Sequence, residues 1–151
     1  MRIRACRPPH ERALALNPND TELMAQRANW LMHIGRLDEA LAVLGSSLER
    51  DPFPPTWHWD IRGYILYHLR RYREAILAFR SVQAEPFWIA GMLAAAYGQL
   101  GQLDEARREL DRYLAARPHP TLGSVADKII YADKGMHGHW LEGLRKAGLP
   151  E

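Results

Sequence analysis

Small and large apolar residues return at fixed positions in three successive windows of this chain, which open at Thr21, Thr56 and Phe87. The eighth residue of each window is small, and the twentieth is alanine. The small positions are Ala28, Gly63, Ala94, Ala40, Ala75 and Ala106. The larger apolar positions beside them are Leu31, Leu66, Tyr97, Leu44, Phe79 and Leu110. This pattern predicts two antiparallel helices in each window, packed closely where the small residues lie.

Prolines separate the windows at nearly constant intervals. They are Pro18, Pro52, Pro86 and Pro118, spaced by 34, 34 and 32 residues. A helix does not continue through a proline, and a period of about 34 residues is typical of stacked helix–turn–helix repeats. The spacing therefore predicts three repeats. A rigid proline-rich turn is expected at 51–55, and almost no loop at 84–87.

The turn inside each repeat should contain one residue in the left-handed conformation. Gly35 and Gly101 occupy this place in the first and third repeats, where glycine adopts positive φ at little cost. Arg70 occupies it in the second repeat, so that turn should carry strain of about 1 kcal/mol.

The chain before the first window is predicted to be half a repeat. Residues 9–19 match the second helix of an earlier unit whose first helix is missing, and residues 1–8 fit no element. Such an open edge exposes apolar surface, which favours self-association.

The chain after the last window shows no repeat pattern. Helices are predicted over 121–131 and 139–147, with a break at 135–138 and an end at Gly148. Residues 119–151 are therefore expected to form a terminal helical cap.

Composition excludes several classes of protein. Hydrophobic residues make up 47% of the chain and charged residues 25%, as in ordinary globular proteins. A net charge of +2 gives no reason to expect binding to nucleic acid. No apolar run is long enough to span a membrane or resembles a secretion signal. A single cysteine, Cys6, suits a reducing environment, so a cytoplasmic location is expected.

The repeated positions resemble the tetratricopeptide repeat. The matching residues of the first window are Leu23, Ala28, Gly35, Leu37, Glu39, Ala40 and Pro52. Met24 and Ala90 depart from the motif, which often has tryptophan there, whereas Trp59 matches it. The resemblance implies an all-α fold, a tetratricopeptide-repeat helical solenoid of antiparallel helix pairs stacked in a superhelix. The array would comprise the half repeat 9–19 and the repeats 21–54, 56–86 and 87–118, followed by the C-terminal cap.

A narrower resemblance concerns residues 17–20, 51–57, 94–103 and above all 139–151. These segments look like the repeat tail that follows the catalytic domain of bacterial class III adenylate/guanylate cyclases. The resemblance implies a non-catalytic interaction and scaffold module that regulates a cyclase by binding a regulator or a second copy of itself. Similar tails follow winged-helix DNA-binding domains. The effector region of a transcriptional regulator and a free-standing adaptor are therefore alternatives.

The resemblance also implies a concave face lined by the first helix of each repeat. The predicted partner-binding residues on it are Asn29, His33, Trp57, Asp60, Tyr64, Tyr67, His68 and Trp88. Rigid aromatic side chains are frequent interface anchors, because they bury much area at little entropic cost. Small residues in the third repeat leave room for an inserted peptide or helix. Alternatively, the tryptophans pack between repeats and the tyrosines only cover the solenoid.

One established use of this fold is disfavoured. The chaperone-binding subclass holds a C-terminal carboxylate with a clamp of cationic and amide side chains. Only Asn29 matches that set of positions, so binding to an acidic chaperone tail is not expected.

Candidate chemistry in the chain is weak. The sequence contains no nucleophile elbow and no glycine-rich phosphate loop, so neither an enzymatic activity nor a cofactor is expected. His137 and His139, with His119 or Asp133, match no closed zinc site and are interpreted as surface residues of the cap.

Overall fold

The computed structural model of the protein describes residues 9–84, 86–116, 121, 123 and 134–150, and these residues form eight α-helices and no strand. The helices are α1 (Pro9–Leu16), α2 (Thr21–His33), α3 (Leu37–Arg50), α4 (Thr56–His68), α5 (Tyr72–Arg80), α6 (Phe87–Leu100), α7 (Leu103–Ala115) and α8 (Lys134–Ala147). None of these helices is both long and apolar enough to cross a membrane.

The helices pair as the repeats predict. α2 packs on α3, α4 on α5 and α6 on α7, and the pairs then stack in chain order through α3 on α4 and α5 on α6. The six small positions are all buried between these helices. At Gly63 the requirement is strict, since an added Cβ would collide with the ring of Phe79.

The turns inside the three pairs share one geometry. Gly35, Arg70 and Gly101 all adopt positive φ, of 79°, 61° and 72°. The next residue then donates its backbone N–H to a carbonyl near the end of the helix, as Arg71 does to the Leu66 oxygen at 2.9 Å. This bond satisfies a carbonyl that the helix itself leaves unpaired. The left-handed turns, including the strained one at Arg70, are confirmed.

The link between the second and third pairs differs from the prediction. The expected near-absence of a loop at 84–87 is wrong, because α5 already ends at Arg80 and α6 begins only at Phe87. The end of the helix tightens, because the Val82 N–H bonds to the carbonyl of Phe79 at 3.1 Å, three residues earlier rather than four. Ala84 then takes positive φ of 61°, and Pro86 precedes the next helix. The shorter spacing between the second and third repeats is therefore due to the nine-residue length of α5 and not to a shorter loop.

The C-terminal helix is longer than predicted. The break expected at 135–138 is wrong, since α8 begins at Lys134 and runs through both glycines of that segment. Met136 is buried against the core around α2 and α4, and this burial favours helix where the local sequence does not. Gly148, with φ of 100°, ends the helix as expected. The helix predicted over 121–131 and the site of Pro118 fall largely outside the described residues.

Candidate protein-binding face

The inner face of the array is built by the first helix of each pair. α2 contacts α4, and α4 contacts α6. Along α4, Trp57, Asp60, Tyr64 and Tyr67 follow one another at intervals of three and four, so they lie on one side of the helix. α8 lies over part of this face. We therefore distinguish a covered half from an open half.

The covered half consists of the residues that α8 contacts, namely Tyr67, His68, Ala95, Gly98 and Gln99. Two of their side chains converge on one backbone atom of α8. The Tyr67 hydroxyl donates to the His139 carbonyl at 3.0 Å, and the Gln99 amide donates to the same oxygen at 3.3 Å. Because Tyr67 belongs to α4 and Gln99 to α6, this carbonyl joins two repeats.

The imidazole of His139 is held by aromatic side chains. Its ring stacks on Tyr67 with centroids 4.7 Å apart, and its Nε2 lies 2.8 Å from the Tyr72 hydroxyl. The His68 ring stands at 63° to it with centroids 5.5 Å apart. Burial, assisted by the positive charge of Arg70, lowers the pKa of His139. The neutral ring is therefore the form that this cluster holds near neutral pH.

Glycine permits the close approach of α8 to α6. An added Cβ at Gly98 would lie 2.6 Å from the Gly143 carbonyl oxygen, and one at Gly143 would lie 2.8 Å from the Ala95 Cβ. Real Cβ atoms do not occupy such positions, so both glycines are needed for this contact. Further along, Lys146 Nζ donates to the Gln99 side chain at 2.8 Å. The room predicted beside the small residues of the third repeat is thus filled by a helix of the chain itself.

The open half consists of the residues of this face that keep solvent exposure, namely Glu22, Asn29, Trp57, Asp60, Tyr64 and Trp88. Trp88 is the most exposed of its aromatic members, at 44%. Trp57 and Tyr64 are half-buried, and the Tyr64 ring packs edge-on against Phe79 with centroids 5.6 Å apart. The open half therefore presents three aromatic rings, of which Trp57 and Tyr64 are fixed on one side by the core.

Asp60 is the charged centre of the open half. The side chain of Trp88 donates a hydrogen bond to its carboxylate, while the other carboxylate oxygen, Oδ1, is buried without a hydrogen-bond partner. Burial raises the pKa of Asp60 from its usual 3.8 to about 6, and the Trp88 bond offsets only part of this effect. At neutral pH the group is an incompletely solvated anion.

The eight predicted binding residues divide into three groups. Asn29, Trp57, Asp60, Tyr64 and Trp88 lie on the open half, and His33 is exposed at the last residue of α2. Tyr67 and His68 are buried beneath α8, at 0% and 8% exposure. The expectation that these two present themselves to solvent is wrong, because α8 occupies that part of the face. The exposure of Trp88 also departs from the alternative in which every tryptophan packs between repeats.

His58 is a further residue of this region, and the sequence gives it no role in binding. It is fully buried at the third residue of α4, and its Nε2 lies 3.5 Å from a carboxylate oxygen of Glu22 on α2. Burial lowers its pKa, and the Glu22 carboxylate opposes that shift. In the sequence His58 is marked only by its place directly after Trp57, one residue away from the inner-face positions. That place does not reveal its contact with Glu22 on α2.

A metal centre has no support in the described residues, where no three histidine, cysteine, aspartate or glutamate side chains are grouped to hold an ion. His137 and His139 lie on α8, but His119 and Asp133 fall outside the described residues. His139 is not a surface residue as predicted, because its ring is packed against Tyr67.

One protein family matches part of the chain by sequence. Residues 89–120 match the sequence model of the tetratricopeptide repeat family. A search of curated protein sequences gives no match to the chain.

Two solved structures are similar to the whole array. The "Crystal structure of MamA" has 20% sequence identity and a TM-score of 0.65, covering 91% of this chain and 82% of that one. The "MamA RS-1 ArsTM double mutant" has 17% identity and a TM-score of 0.67, covering 91% of this chain and 80% of that one. Both are tetratricopeptide-repeat solenoids. The fold predicted from the sequence is therefore confirmed, and this chain is an all-α tetratricopeptide-repeat helical solenoid.

Proposed function

We propose that this protein is a non-catalytic interaction module that binds a protein or peptide on the open half of its inner face. The tetratricopeptide-repeat fold and its similarity to MamA favour a protein-interaction scaffold over an enzyme. The open half adds fixed aromatic rings around one buried carboxylate. Surfaces of this kind act as anchors because rigid aromatic side chains lose little entropy on binding.

The observation that carries this proposal is α8 itself. A helix already lies on the neighbouring half of the same face, held by hydrogen bonds from Tyr67 and Gln99 to one carbonyl. The inner face thus accommodates a helical segment, since α8 already packs on it. A partner segment beside α8 would meet Trp57, Tyr64 and Trp88.

The test is a selection of binding peptides from a phage-displayed library of random sequences. We expect the wild-type protein to enrich related sequences and to bind the corresponding synthetic peptide in solution. Replacing Trp88 or Tyr64 with alanine should weaken that binding about 30-fold, because truncating a central aromatic anchor typically costs about 2 kcal/mol. Circular dichroism should show unchanged helical content in both variants.

The matched control is Leu77→Ala. Leu77 is 69% exposed on α5, away from the inner face, so its truncation should leave binding unchanged. Enrichment of no peptide by the wild-type protein would contradict the proposal. So would peptides whose affinity is unchanged when Trp88 or Tyr64 is replaced with alanine but is lowered by Leu77→Ala.

A finer version of the proposal makes the chain the regulatory tail of a bacterial, cytoplasmic adenylate/guanylate cyclase. Its support is the resemblance of residues 139–151 to such tails, and the comparisons add none. The alternatives are a free-standing adaptor and the effector region of a winged-helix regulator. Reading the genomic DNA upstream of Met1 in all forward frames separates them. A cyclase domain, a winged helix or unrelated sequence would each support one version and contradict the other two.

A further inference from the structure

Asp60 lacks a counter-charge within the described part of the chain. Its interactions there are the hydrogen bond from Trp88 and the loss of solvation that burial causes. Oδ1 has no hydrogen-bond partner and no contact with solvent. A carboxylate accepts several hydrogen bonds when fully satisfied, so this group retains unused acceptor capacity that points to a cationic donor.

The charges of the surrounding open half have one sign. Among its six residues two are acidic, Glu22 and Asp60, and none is basic. The Glu22 side chain is 50% exposed and lies beside the buried His58, whose lowered pKa keeps that ring neutral. The open half therefore presents negative charge and aromatic surface together. That combination suits a cation better than an anion or a purely apolar side chain.

Trp88 gives access to the carboxylate. Its indole is 44% exposed and donates to Asp60 at the same time. Because the indole keeps this exposure beside the carboxylate, a flat group can stack on its open side while it pairs with the carboxylate. A planar group that stacks on an indole and donates in a fork to a carboxylate is a guanidinium.

We propose that the open half recognises an arginine side chain of its protein partner, which pairs with Asp60 and stacks on Trp88. This inference rests on the proposed function and adds the chemistry of the partner. Arginine is assigned rather than lysine because its delocalised cation is weakly hydrated and planar. An ammonium would pair with the carboxylate but gain less from the indole.

The experiment uses the same random-peptide library, selected in parallel on the wild-type protein, on Asp60→Asn and on Asp111→Asn. Asparagine keeps the shape of Asp60 and an acceptor for Trp88 but removes the charge. Asp111 is exposed on α7 and serves as the matched control for the loss of one carboxylate. We expect wild-type and Asp111→Asn to enrich peptides with arginine at one fixed position, and Asp60→Asn to lose that preference.

The best synthetic peptide then tests the contact directly. Replacing its fixed arginine with citrulline, which keeps the shape without the charge, should weaken binding at least tenfold to wild-type protein. The same replacement should have less than a threefold effect with Asp60→Asn. In nuclear magnetic resonance spectra the indole N–H signal of Trp88, assigned with Trp88→Phe, should shift more on adding the arginine peptide than the citrulline peptide.

The outcomes separate this inference from the proposed function. Peptides that need Trp88 but carry no fixed arginine would overturn the inference and leave the proposed function standing. Equal selection of lysine at the fixed position would overturn the assignment to arginine. If the wild-type protein enriches no peptide, the proposed function fails and the inference fails with it.

Discussion

Asp60 gives the clearest effect at the scale of a single residue, because the fold withdraws its carboxyl group from water. Its pKa rises to about 6, so the folded chain binds this proton more tightly than the unfolded chain does. Stability from this group is therefore greatest below its ordinary pKa and falls as the pH rises towards 6. We predict that Asp60→Asn increases the free energy of unfolding at pH 7 by about 1–2 kcal/mol.

Urea unfolding of both proteins from about pH 4 to pH 7 measures this effect. The gain from Asp60→Asn should be smallest at the acidic end, where Asp60 is protonated in the folded state and partly protonated in the unfolded state. His58 and His139 have lowered pKa values and give the opposite pH dependence, but they are present in both proteins and cancel in the difference. A variant no more stable than wild type at pH 7 would contradict the account of Asp60 as an unpaired anion.

Arg70 carries backbone strain that a glycine would relieve. Its φ of 61° places it in the left-handed region, which costs a residue with a Cβ about 1 kcal/mol. Arg70→Gly should therefore raise the free energy of unfolding by about 0.5–1 kcal/mol. Arg71→Gly is the matched control, because Arg71 has a φ of −91° and pairs with Glu74. The control should lose stability. In thermal unfolding we therefore expect a melting temperature above that of the wild type for Arg70→Gly and below it for Arg71→Gly.

At the scale of a helix, the packing of α8 on the array requires Gly143 but does not require Gly138. An added Cβ at Gly143 would collide with Ala95 and Tyr67, whereas one at Gly138 meets nothing within 4 Å. We predict that Gly143→Ala weakens docking by about 1–3 kcal/mol through overpacking. The same substitution at Gly138 should stabilise the helix by up to about 1 kcal/mol.

Amide hydrogen exchange along α8 reports this difference directly. In Gly143→Ala the amides of α8 should exchange faster while those of α2 and α3 keep their protection. Equal protection of α8 in the two variants would show that the helix lies elsewhere on the array.

Acid should also loosen α8, through His139. The groups that face its ring are Tyr67 and His68 from α4, Arg70 from the turn that follows, Tyr72 from α5, and Glu142 and Lys146 from α8 itself. Because the pKa of His139 is lowered on docking, the released helix binds the proton more readily, and docking weakens as the pH falls below about 6.5.

We expect the protection of α8 amides, corrected for intrinsic exchange, to fall between about pH 7 and pH 5 in the wild-type protein. In His139→Gln the fall should be smaller, since that side chain does not titrate. An undiminished fall in the variant would assign the pH dependence to another group, of which His68 is the nearest.

The helical elements also show how far the sequence could predict the structure. The repeat pattern located the three pairs and their turns because each depends on residues close in the chain, such as Gly35 or Arg70. The end of α5 was missed because the tightened turn at Val82 and the positive φ of Ala84 leave no mark in the repeat pattern. The length of α8 was missed because burial of Met136 outweighs two glycines.

The candidate site likewise has a part that the sequence predicts and a part that it does not. Trp57, Asp60 and Tyr64 could be placed on one face because helical spacing alone decides it. The covering of Tyr67 could not be predicted, since its bond to His139 joins residues 72 positions apart. Periodicity contains no information about such a contact.

At the scale of the whole molecule, self-association through α1 remains a prediction. Leu16 at the end of this helix is 90% exposed, and a groove of about 600 Å³ between α1, α2 and α3 is lined by Leu14, Met24 and Val43 among others. We expect light scattering to show a mass that rises with concentration, and Leu16→Glu to reduce the rise. Phe53→Glu, at a residue 89% exposed, is the control and should not change it. A strict monomer at high concentration would contradict the prediction.

The shared carbonyl of His139 has a consequence for how the array unfolds. In a repeat array each unit touches only its neighbours, so the chain can unzip from one end, unit by unit. Here one oxygen of the last helix is held by Tyr67 in the second repeat and Gln99 in the third, and Met136 of the same helix packs into the core that the first and second repeats share. α8 thus links the second repeat directly to the third. Separating these two repeats must break its bonds, so they should melt together.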